Sequence, residues 1–370
     1  MRPRPMLLLA LCVLWAAGTA AGASPAASAG ATAGAAPYAP VSAGAALEFP
    51  ADYGSHPDFR TEWWYITGWL TTARGESLGF QITFFRTKPD VAVDNPSSFT
   101  PRQILIAHCA ISDPKLGRLW QDQRVRRAGM GLADAAQGDT NVSIDGWVLT
   151  RQDGRYVARI AAEDFTLDLD LAPTQAVLLN GEAGVSRKGP SPASASFYYS
   201  EPHLRVTGSI ARRGNKSTVS GEAWLDHEWS SEYLDAEAVG WDWLGLNFDD
   251  GAALMLFRIR GAHGEQRWAG GTLRRGDGSV TTLRPDEVGF WEVRRWVSGR
   301  TAISYPVEWT VRAGDLTLAI TPLLDDQEND TRLTTGAIYW EGAVRASVQG
   351  RLVGRGYLEL TGYGSRLKLP

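Results

Sequence analysis

The sequence predicts a mostly antiparallel β protein, and three observations lead to that fold class. Short segments alternate between apolar and polar side chains, or are apolar throughout, as β-strands do. Gly, Asn and Asp separate these segments, which is typical of tight turns. Helical periodicity is nearly absent, and only residues 119–129 suggest a short helical or irregular piece.

The predicted strands can be followed in chain order. TEWWYITGWL and GFQITFFR are rich in aromatic and β-branched residues, FTLDLDL alternates strictly, and AALMLFRIR has the apolar run of a buried strand. In order, the strands are predicted at residues 61–70, 79–86, 155–160, 165–171, 204–210, 217–226, 252–260, 315–320 and 356–363.

An internal repeat divides the strands into two sets. WYITGWL and GFQITFFR match WDWLGLNFDDG and AALMLFRIR, residues 164–169 match 315–320, and 198–208 match 339–350, all in the same order. About eight strands per copy suit a small barrel that can enclose an apolar ligand. The sequence therefore predicts one barrel at 47–212 and a second at 213–370, with the DHEW string at their junction.

The N-terminus has the pattern of a secretory signal peptide. Arg2 and Arg4 precede an apolar run at 6–17, and small residues follow it. We expect a signal peptide at 1–22, a flexible Ala/Gly/Pro-rich leader at 23–46, and Sec-type export to the periplasm or the medium.

Charge and composition bear on the class of partner and on the compartment. Without Arg2 and Arg4 the formal net charge falls from −4 to −6, which disfavours DNA or RNA as a partner because phosphate binding needs a basic patch. Cys109 would then be the one remaining cysteine, so no internal disulfide is expected. The 15 tryptophans are typical of a β protein that binds sugars or long apolar ligands, or of a bulky β core.

No metal site or cofactor is predicted from spacing. No two of the five histidines have the i, i+4 spacing of a helical zinc site, and the two cysteines, Cys12 and Cys109, are too far apart in the sequence to form a zinc-binding Cys motif. The histidines are His56, His108, His203, His227 and His263.

Residues 75–79, GESLG, fit the G-x-S-x-G pattern of a hydrolase nucleophile centred on Ser77. That motif functions at a strand-to-helix turn, whereas this one lies between two predicted strands. We interpret it as a hairpin turn and keep a secreted hydrolase as a further alternative.

The stretch VSGEAWLDHEWSSE, 219–232, holds the predicted catalytic residues. If it is one strand, His227 and Trp229 lie on the apolar face, which would place His227 at the rim of an apolar barrel interior. Asp226 and Glu228 lie on the other face, where crowding and indoles would raise the pKa of a carboxyl towards that of a general acid. The alternative is that the carboxylates pair with arginines and His227 bonds to the backbone.

Two further acidic and aromatic strings are candidate ligand-binding segments. In the first, Glu62 and Trp64 share one face of the predicted strand, whereas Tyr65 lies on the other. In the second, Trp241, Asp242 and Trp243 stand at the start of the matching strand of the repeat. Packing in an ordinary core is the alternative for each indole.

At these residues the sequence resembles the carotenoid 1,2-hydratase (hydroxyneurosporene synthase) and AttH-like family of tandem lipocalin-like proteins. The similarity covers nearly all of the chain after the leader, and EWWY and DHEW are its most specific strings. Matching segments are HPDFRTEWWYITGWL, GFQITFFR, AHCAISD, ASFYYSEPHLRVTG, VSGEAWLDHEWSSE, GWDWLGLNFDDGAALMLFRIR, YPVEWTV, IYWEGAV and GRGYLELTGY.

The resemblance implies two lipocalin-like barrels packed together and, in some members, hydration of a terminal carotenoid double bond. It points to Asp226, His227 and Trp229, whereas Trp69 stands where many relatives have a polar residue. Many exported members are described as secreted hydrolases or occur with ABC transporters.

The favoured interpretation is an exported enzyme that hydrates an isoprenoid or acyl ligand. Asp226, with Glu228 as alternate, would protonate a double bond, and His227 would orient or deprotonate water. Indoles of Trp229, Trp241 or Trp243 would stabilise the carbocation. The rival interpretation is a periplasmic lipid carrier that serves an ABC transporter and needs no proton donor.

Overall fold

The computed structural model describes residues 38–90, 95–97 and 99–367 of the 370-residue chain. The predicted signal peptide, 1–22, and residues 23–37 of the predicted leader lie outside the described residues. Within them, the helices are two short 3-10 turns, Ala51–Tyr53 and Pro285–Glu287. No described helix has the length and apolar character needed to cross a membrane.

The first sheet runs through the N-terminal half of the described chain. Its order is β4-β3-β2-β1-β13-β12-β9-β8-β7-β6-β5, with β10 and β11 also paired to β12. Contacts of β6 with β3 and β4 bring the two ends together into a nearly closed barrel. The strands are β1 Thr61–Thr72, β2 Ser77–Thr87, β3 Ile104–Asp113, β4 Arg118–Arg127, β5 Ala133–Ala135, β6 Asn141–Ile144, β7 Trp147–Gln152, β8 Arg155–Ala161, β9 Phe165–Ala172, β10 Leu178–Leu179, β11 Val185–Arg187, β12 Ala195–Arg212 and β13 Asn215–Glu232.

The second sheet follows in the order β17-β16-β15-β14-β23-β22-β20-β19-β18, with β21 also paired to β22. It curls in the same way, because β16 contacts β18. The strands are β14 Gly240–Phe248, β15 Ala253–Arg260, β16 Gln266–Arg274, β17 Val280–Leu283, β18 Val288–Val297, β19 Ser304–Ala313, β20 Leu316–Pro322, β21 Glu328–Thr331, β22 Ala337–Val348 and β23 Arg351–Leu360.

The two sheets have the same connectivity, as the internal repeat predicts. β14, β15 and β16 take the places of β1, β2 and β3, and β23, β22 and β20 take those of β13, β12 and β9. The matched strings of the repeat fall on these equivalent strands. The prediction of two tandem antiparallel barrels is confirmed.

Two details differ from expectation. Residues 119–129 form most of β4 rather than a helical piece. The charged segment RLWQDQRVRR is held in a strand by its backbone hydrogen bonds to β3. The DHEW strand, β13, belongs to the first sheet, so the sheets divide between Glu232 and Gly240 rather than at residue 212.

Each barrel has its own apolar core, and a third core joins them. Ile66, Phe80 and Leu167 are buried within the first barrel, and Leu254 and Val311 within the second. Alternation along the strands sends every other side chain inward. The outward residues of the facing strands pack against each other in the third core, which includes Tyr65, Trp69, Tyr198, Trp224, Trp243, Met255, Phe257 and Tyr357.

Candidate active site

A cavity of about 110 Å³ lies between the two barrels. Its walls come from β1, β2, β3, β12 and β13 of the first sheet and from β14, β15, β22 and β23 of the second, which are the copies of β1, β2, β12 and β13. The two copies of the repeat therefore present the same face to the cavity. The aromatic wall residues are Trp63, Tyr65, Phe85, Tyr198, Tyr233, Trp241, Trp243, Phe257 and Tyr339.

Asp226 is a buried carboxyl in the wall of this cavity. It accepts hydrogen bonds from the Tyr198 hydroxyl at 2.6 Å, the Ser200 hydroxyl at 2.5 Å and the Trp224 indole at 2.6 Å. Burial raises the pKa of Asp226 to about 7, because these bonds offset the loss of solvation only in part and Glu228 adds negative charge nearby. A carboxyl with this pKa is suited to general-acid catalysis near neutral pH.

Glu228, two residues further along the same face, has a different environment. Lys188 Nζ lies 2.8 Å from its Oε1, and the Ser196 hydroxyl donates to the same oxygen at 2.5 Å. Lys188 also lies over the rings of Tyr198 and Phe257, at 4.7 and 4.3 Å. Within the described residues Asp226 forms no such ion pair, so it is the better proton donor of the two.

The wall formed by the second barrel carries another acidic pair. Glu341 on β22 and Glu359 on β23 are register partners, and both line the cavity. Burial raises the pKa of Glu341 well above its usual value, and the charge of Glu359 adds to this effect. Burial likewise raises the pKa of Glu359 to about 7, although the Trp241 indole donates to it at 2.8 Å. Two buried carboxyls this close retain a proton between them.

His108 also lines the cavity, but it is a neutral group. Burial lowers the pKa of His108 to about 3. Its ring nitrogens lie 3.1 Å from the Tyr339 hydroxyl and 2.9 Å from the Thr334 hydroxyl. We therefore expect His108 to hold Tyr339 in place rather than carry charge at neutral pH.

His227 lies on the opposite face of β13, inside the first barrel. Its Nε2 donates to Glu62 at 2.9 Å, and its Nδ1 lies 3.0 Å from the Tyr199 hydroxyl. Burial lowers the pKa of His227 more than the bond to Glu62 raises it. A neutral ring donating to Glu62 accepts its second hydrogen bond from Tyr199, so both nitrogens are engaged away from the cavity.

Glu62 is the centre of a compact polar network in that barrel. Besides His227, it contacts Arg86 Nε at 2.7 Å and His56 Nδ1 at 2.7 Å. Burial would raise the pKa of Glu62, but the hydrogen bonds from His227 and His56 and the charge of Arg86 hold it well below its usual value. Glu62 is therefore an ionised, fully paired carboxylate.

The remaining candidate residues divide between interior and cavity. Trp64 stacks on His227 with ring centroids 4.6 Å apart, and Trp229 stacks on His56 at 3.7 Å, so both indoles belong to the first barrel's interior. Tyr65, Trp241 and Trp243 line the cavity, and the Trp243 indole donates to the Tyr198 hydroxyl at 3.0 Å.

Asp242 is buried in the second barrel and does not line the cavity. Arg258 Nε lies 2.6 Å and Arg260 Nε 3.0 Å from its two oxygens, and the Tyr363 hydroxyl donates at 3.0 Å. Its pairing with arginines of the neighbouring strand is the second barrel's counterpart of Glu62 and Arg86.

One group of side chains among the described residues has the composition of a metal site. The ligand atoms of His56, Glu62 and His227 lie within 4.8 Å of one another. Both histidines already form hydrogen bonds with Glu62, and the Arg86 guanidinium forms an ion pair with the same carboxylate. The geometry is that of a hydrogen-bonded network, because a guanidinium beside the shared carboxylate opposes a cation.

Ser77 begins β2, directly after the turn in which Gly75 adopts a φ of +79°. A residue without a side chain is favoured at that angle, and the chain continues as a hairpin. The strand-to-helix turn of a hydrolase nucleophile is therefore not formed at Ser77.

Sequence reasoning found part of the cavity lining on each barrel and missed the rest. Asp226, Glu228, Tyr65, Trp241 and Trp243 were among its candidates. The residues it missed are Trp63, His108, Lys188, Tyr198, Glu341 and Glu359. For the two glutamates the repeat carried a usable signal, because β22 and β23 are the copies of β12 and β13.

Comparison with known proteins supports the resemblance. The family model for AttH-like proteins matches residues 40–363. The crystal structure of a protein assigned as AttH from Nitrosomonas europaea is 54% identical, covers 88% of this chain and 99% of that one, and has a TM-score of 0.83.

Kievitone hydratase is a more distant similarity. The crystal structure of the enzyme from Nectria haematococca has the same fold, with a TM-score of 0.66 at 15% identity, and covers 89% of this chain and 96% of that one. The sequence of kievitone hydratase from Fusarium solani subsp. phaseoli is 25% identical over 171 residues, 45% of this chain and 47% of that protein. That match therefore spans about half the length of the relative.

Proposed function

The chain belongs to the AttH-like family, and from this premise we propose that it is a hydratase-type enzyme. It adds water to a carbon–carbon double bond at the end of an apolar, branched ligand, or removes water in the reverse direction. The cavity between the barrels is the active site, and Asp226 is the general acid. The export predicted from residues 1–22 would place this reaction outside the cytoplasm.

The observation that carries the proposal is the environment of Asp226. A buried carboxyl with a pKa of about 7 faces a cavity whose walls are mainly aromatic. Protonating an alkene requires an acid that keeps its proton in apolar surroundings, and burial without a counter-ion provides this property.

The size of the cavity supports the choice of ligand. Pockets that enclose a whole drug-sized molecule measure about 300–1,000 Å³, whereas this cavity measures about 110 Å³. An apolar cavity of about 150 Å³ holds one benzene molecule. The site therefore suits one isoprene unit at the end of a longer chain, with the remainder lying outside.

Each step can be assigned to a group on the cavity wall. Asp226 donates its proton to one alkene carbon, and the π electrons form the new C–H bond. The positive charge on the neighbouring carbon is stabilised by the π faces of Trp241 and Trp243, by about 2 kcal/mol where water is excluded. A water oxygen then bonds to that carbon and loses a proton to a carboxylate of the wall.

His227 has a different role in this proposal from the one that its sequence position suggests. Its two nitrogens bond to Glu62 and Tyr199 on the far face of β13. We propose that His227 fixes the strand on which Asp226 lies and does not touch the ligand. The similarity to kievitone hydratase supports the reaction class, and we propose the substrate class from the cavity.

The test uses limonene and its hydration product α-terpineol with the purified protein in heavy water. We expect interconversion with deuterium entering the carbon next to the new carbinol. Asp226→Asn should lower turnover about 10²- to 10⁴-fold, the usual contribution of a general acid, while ligand binding persists. Asp168→Asn, a half-exposed carboxylate of β9, is the matched control and should leave turnover unchanged.

Two results would contradict the proposal. Equal turnover in Asp226→Asn and in the parent protein would remove Asp226 from the chemistry. Absence of turnover in the parent protein, together with an intact lipid that co-purifies and is identified by mass spectrometry, would favour a carrier that uses the same cavity.

A further inference from the structure

Buried polar atoms without partners occur on the cavity wall formed by both barrels. Among the described residues, Glu341 Oε1 and the Tyr65 hydroxyl are buried and form no hydrogen bond of good distance and angle, although the two groups lie close enough to each other to shift both pKa values. Both residues line the cavity. Nearly all buried polar side-chain atoms in proteins are bonded, so unpaired ones that face a cavity can bind a polar group of a bound molecule or a water molecule.

The two atoms belong to one location. Burial raises the pKa of Tyr65 well above its usual value, and the neighbouring carboxyls Glu341 and Glu359 add to the effect. Tyr65 comes from β1 of the first barrel and Glu341 from β22 of the second. A donor and an acceptor from opposite walls can hold a hydroxyl group or water molecule between them.

The Asp226 carboxyl differs from Glu341 and Tyr65, because its own oxygens are already satisfied. Both oxygens of Asp226 accept hydrogen bonds, and the Tyr198 hydroxyl donates to Asp226 while it accepts from Trp243. Asp226 itself therefore has a proton to donate but no free oxygen to bind water, and near Glu228 the Tyr233 hydroxyl is a further cavity-lining group without a partner among the described residues. Tyr65 is the register partner of Asp226 on the neighbouring strand, so the acid and this polar pair lie side by side in one cavity.

We propose that Glu341 and Tyr65 bind the hydroxyl group of a tertiary alcohol, and hence the water molecule that hydration adds, and that the Glu341–Glu359 pair receives the proton of that water. This inference takes its ligand class from the proposed function. In the balanced step, Asp226 gives one proton to carbon, the water oxygen forms the C–O bond, and the carboxyl pair takes one water proton.

The capacity to take that proton follows from the pair itself. Cross-strand partners in a buried site cannot both be ionised, so the pair holds one proton and one negative charge. When the pair accepts a second proton, both carboxyls become neutral and no buried negative charge remains. Glu228 is less suited to this role, because Lys188 keeps its charge compensated at 2.8 Å.

The first experiment measures binding rather than turnover. The affinities of α-terpineol and of limonene are compared by calorimetry in the parent protein, Tyr65→Phe and Glu341→Leu. We expect the parent to bind the alcohol at least about tenfold more tightly, as one hydrogen bond to a charged group allows. Both variants should lose this preference and keep their affinity for limonene.

The matched control is Tyr305→Phe, which removes a buried, unpartnered hydroxyl from the second barrel's interior rather than from the cavity. It should leave the preference for the alcohol unchanged. Equal preference in Tyr65→Phe, Glu341→Leu and the parent would overturn the inference, even if Asp226-dependent turnover is found. Failure of both compounds to bind would overturn it as well, because the ligand class would then be wrong.

A second variant separates binding from proton transfer. Glu341→Gln keeps an amide that can bond to the hydroxyl but cannot take its proton. We expect it to retain the preference for α-terpineol and to lose turnover about 10²-fold. Unchanged turnover would remove the proton-accepting role. If the parent protein shows the preference but no turnover, the hydroxyl site stands and the hydratase proposal fails.

Discussion

Glu62 and Asp226 are two buried carboxyls on paired strands, yet their surroundings hold them in opposite states. Glu62 faces the first barrel's interior, where Arg86 and two histidines bond to it and lower its pKa. Asp226 faces the cavity, where hydroxyl and indole groups surround it and its pKa rises to about 7. Burial is the same for both, so the presence of a counter-ion decides which carboxyl keeps its proton.

The two faces of strand β13 have different surroundings. On β13, His227 and Trp229 point to a packed network, and Asp226 and Glu228 point to a cavity. One strand can therefore contribute to stability with its first face while its second face carries a reaction. We expect substitutions on the two faces to change different measured quantities.

The largest expected effect is on stability and comes from the interior face. Arg86→Met leaves Glu62 as a buried carboxylate without its cation, so the free energy of unfolding should fall by about 3–5 kcal/mol. Urea denaturation measures it. Arg159→Met, which breaks half-exposed ion pairs with Asp168 and Asp170, is the control and should cost less than about 1 kcal/mol. Similar losses in both variants would show that burial of the pair is irrelevant.

The next expected effect is on the pH dependence of stability, which should have opposite signs for Asp226 and Glu62. Asp226 has a raised folded pKa, so its stabilising contribution is present below its unfolded pKa and is lost as the pH rises towards about 7. Glu62 has a lowered folded pKa, so its contribution is present above its unfolded pKa and is lost as the pH falls.

Denaturation at several pH values between about 3 and 8 should therefore separate the two carboxyls, because the Glu62 contribution is lost only below its unfolded pKa of about 4.5. In the parent protein, Asp226 should lower the free energy of unfolding by up to about 1.4 kcal/mol per pH unit as the pH rises, and Asp226→Asn should abolish this decrease. Glu359 titrates in the same range and with the same sign, so part of the slope should remain. Glu62→Gln should instead reduce the loss on acidification. The same sign of change in both variants would refute the counter-ion argument.

Much of the fold and half of the site could be predicted from the sequence, because local patterns carry that information. Alternation on the strand of Asp226 placed this residue and Glu228 opposite His227, as the structure has them. The order of the repeat strings gave two barrels. These features depend on period-two geometry and turn residues, which short segments specify.

Glu341 and Glu359 were missed because their burial depends on the other barrel. In GYLELTGY, Glu359 alternates with Leu358 and Leu360, as on a strand whose polar face meets water. Only the packing of the first barrel against that face encloses the carboxyl. No local pattern distinguishes a solvated polar face from one buried between two domains.

The prediction for His227 depended on whether the first barrel is filled or hollow. Alternation correctly predicted that His227 points into the first barrel. We expected the rim of an apolar cavity there, but the structure has a packed interior with Trp64, Tyr199 and Trp229 around the imidazole ring. Filling is a property of summed side-chain volumes across many strands. The repeat matched Trp64 with Trp241, but Trp64 lies in the first barrel's interior whereas Trp241 lines the cavity. The two residues are therefore not structurally equivalent, because a shift of one residue moves a strand's side chains to the other face.

The smallest expected effect distinguishes the indoles of the two faces. Trp241→Phe keeps an aromatic wall but removes the donor to Glu359, so the pKa of Glu359 should rise further and turnover should fall by about three- to tenfold. The pH profile of turnover should shift upward. Trp229→Phe, in contact with His56 in the first barrel, should lower stability and leave the pH profile in place. If Trp229→Phe shifts the profile and Trp241→Phe does not, the chemistry belongs to the barrel interior, and the assignment of the two faces must be reversed.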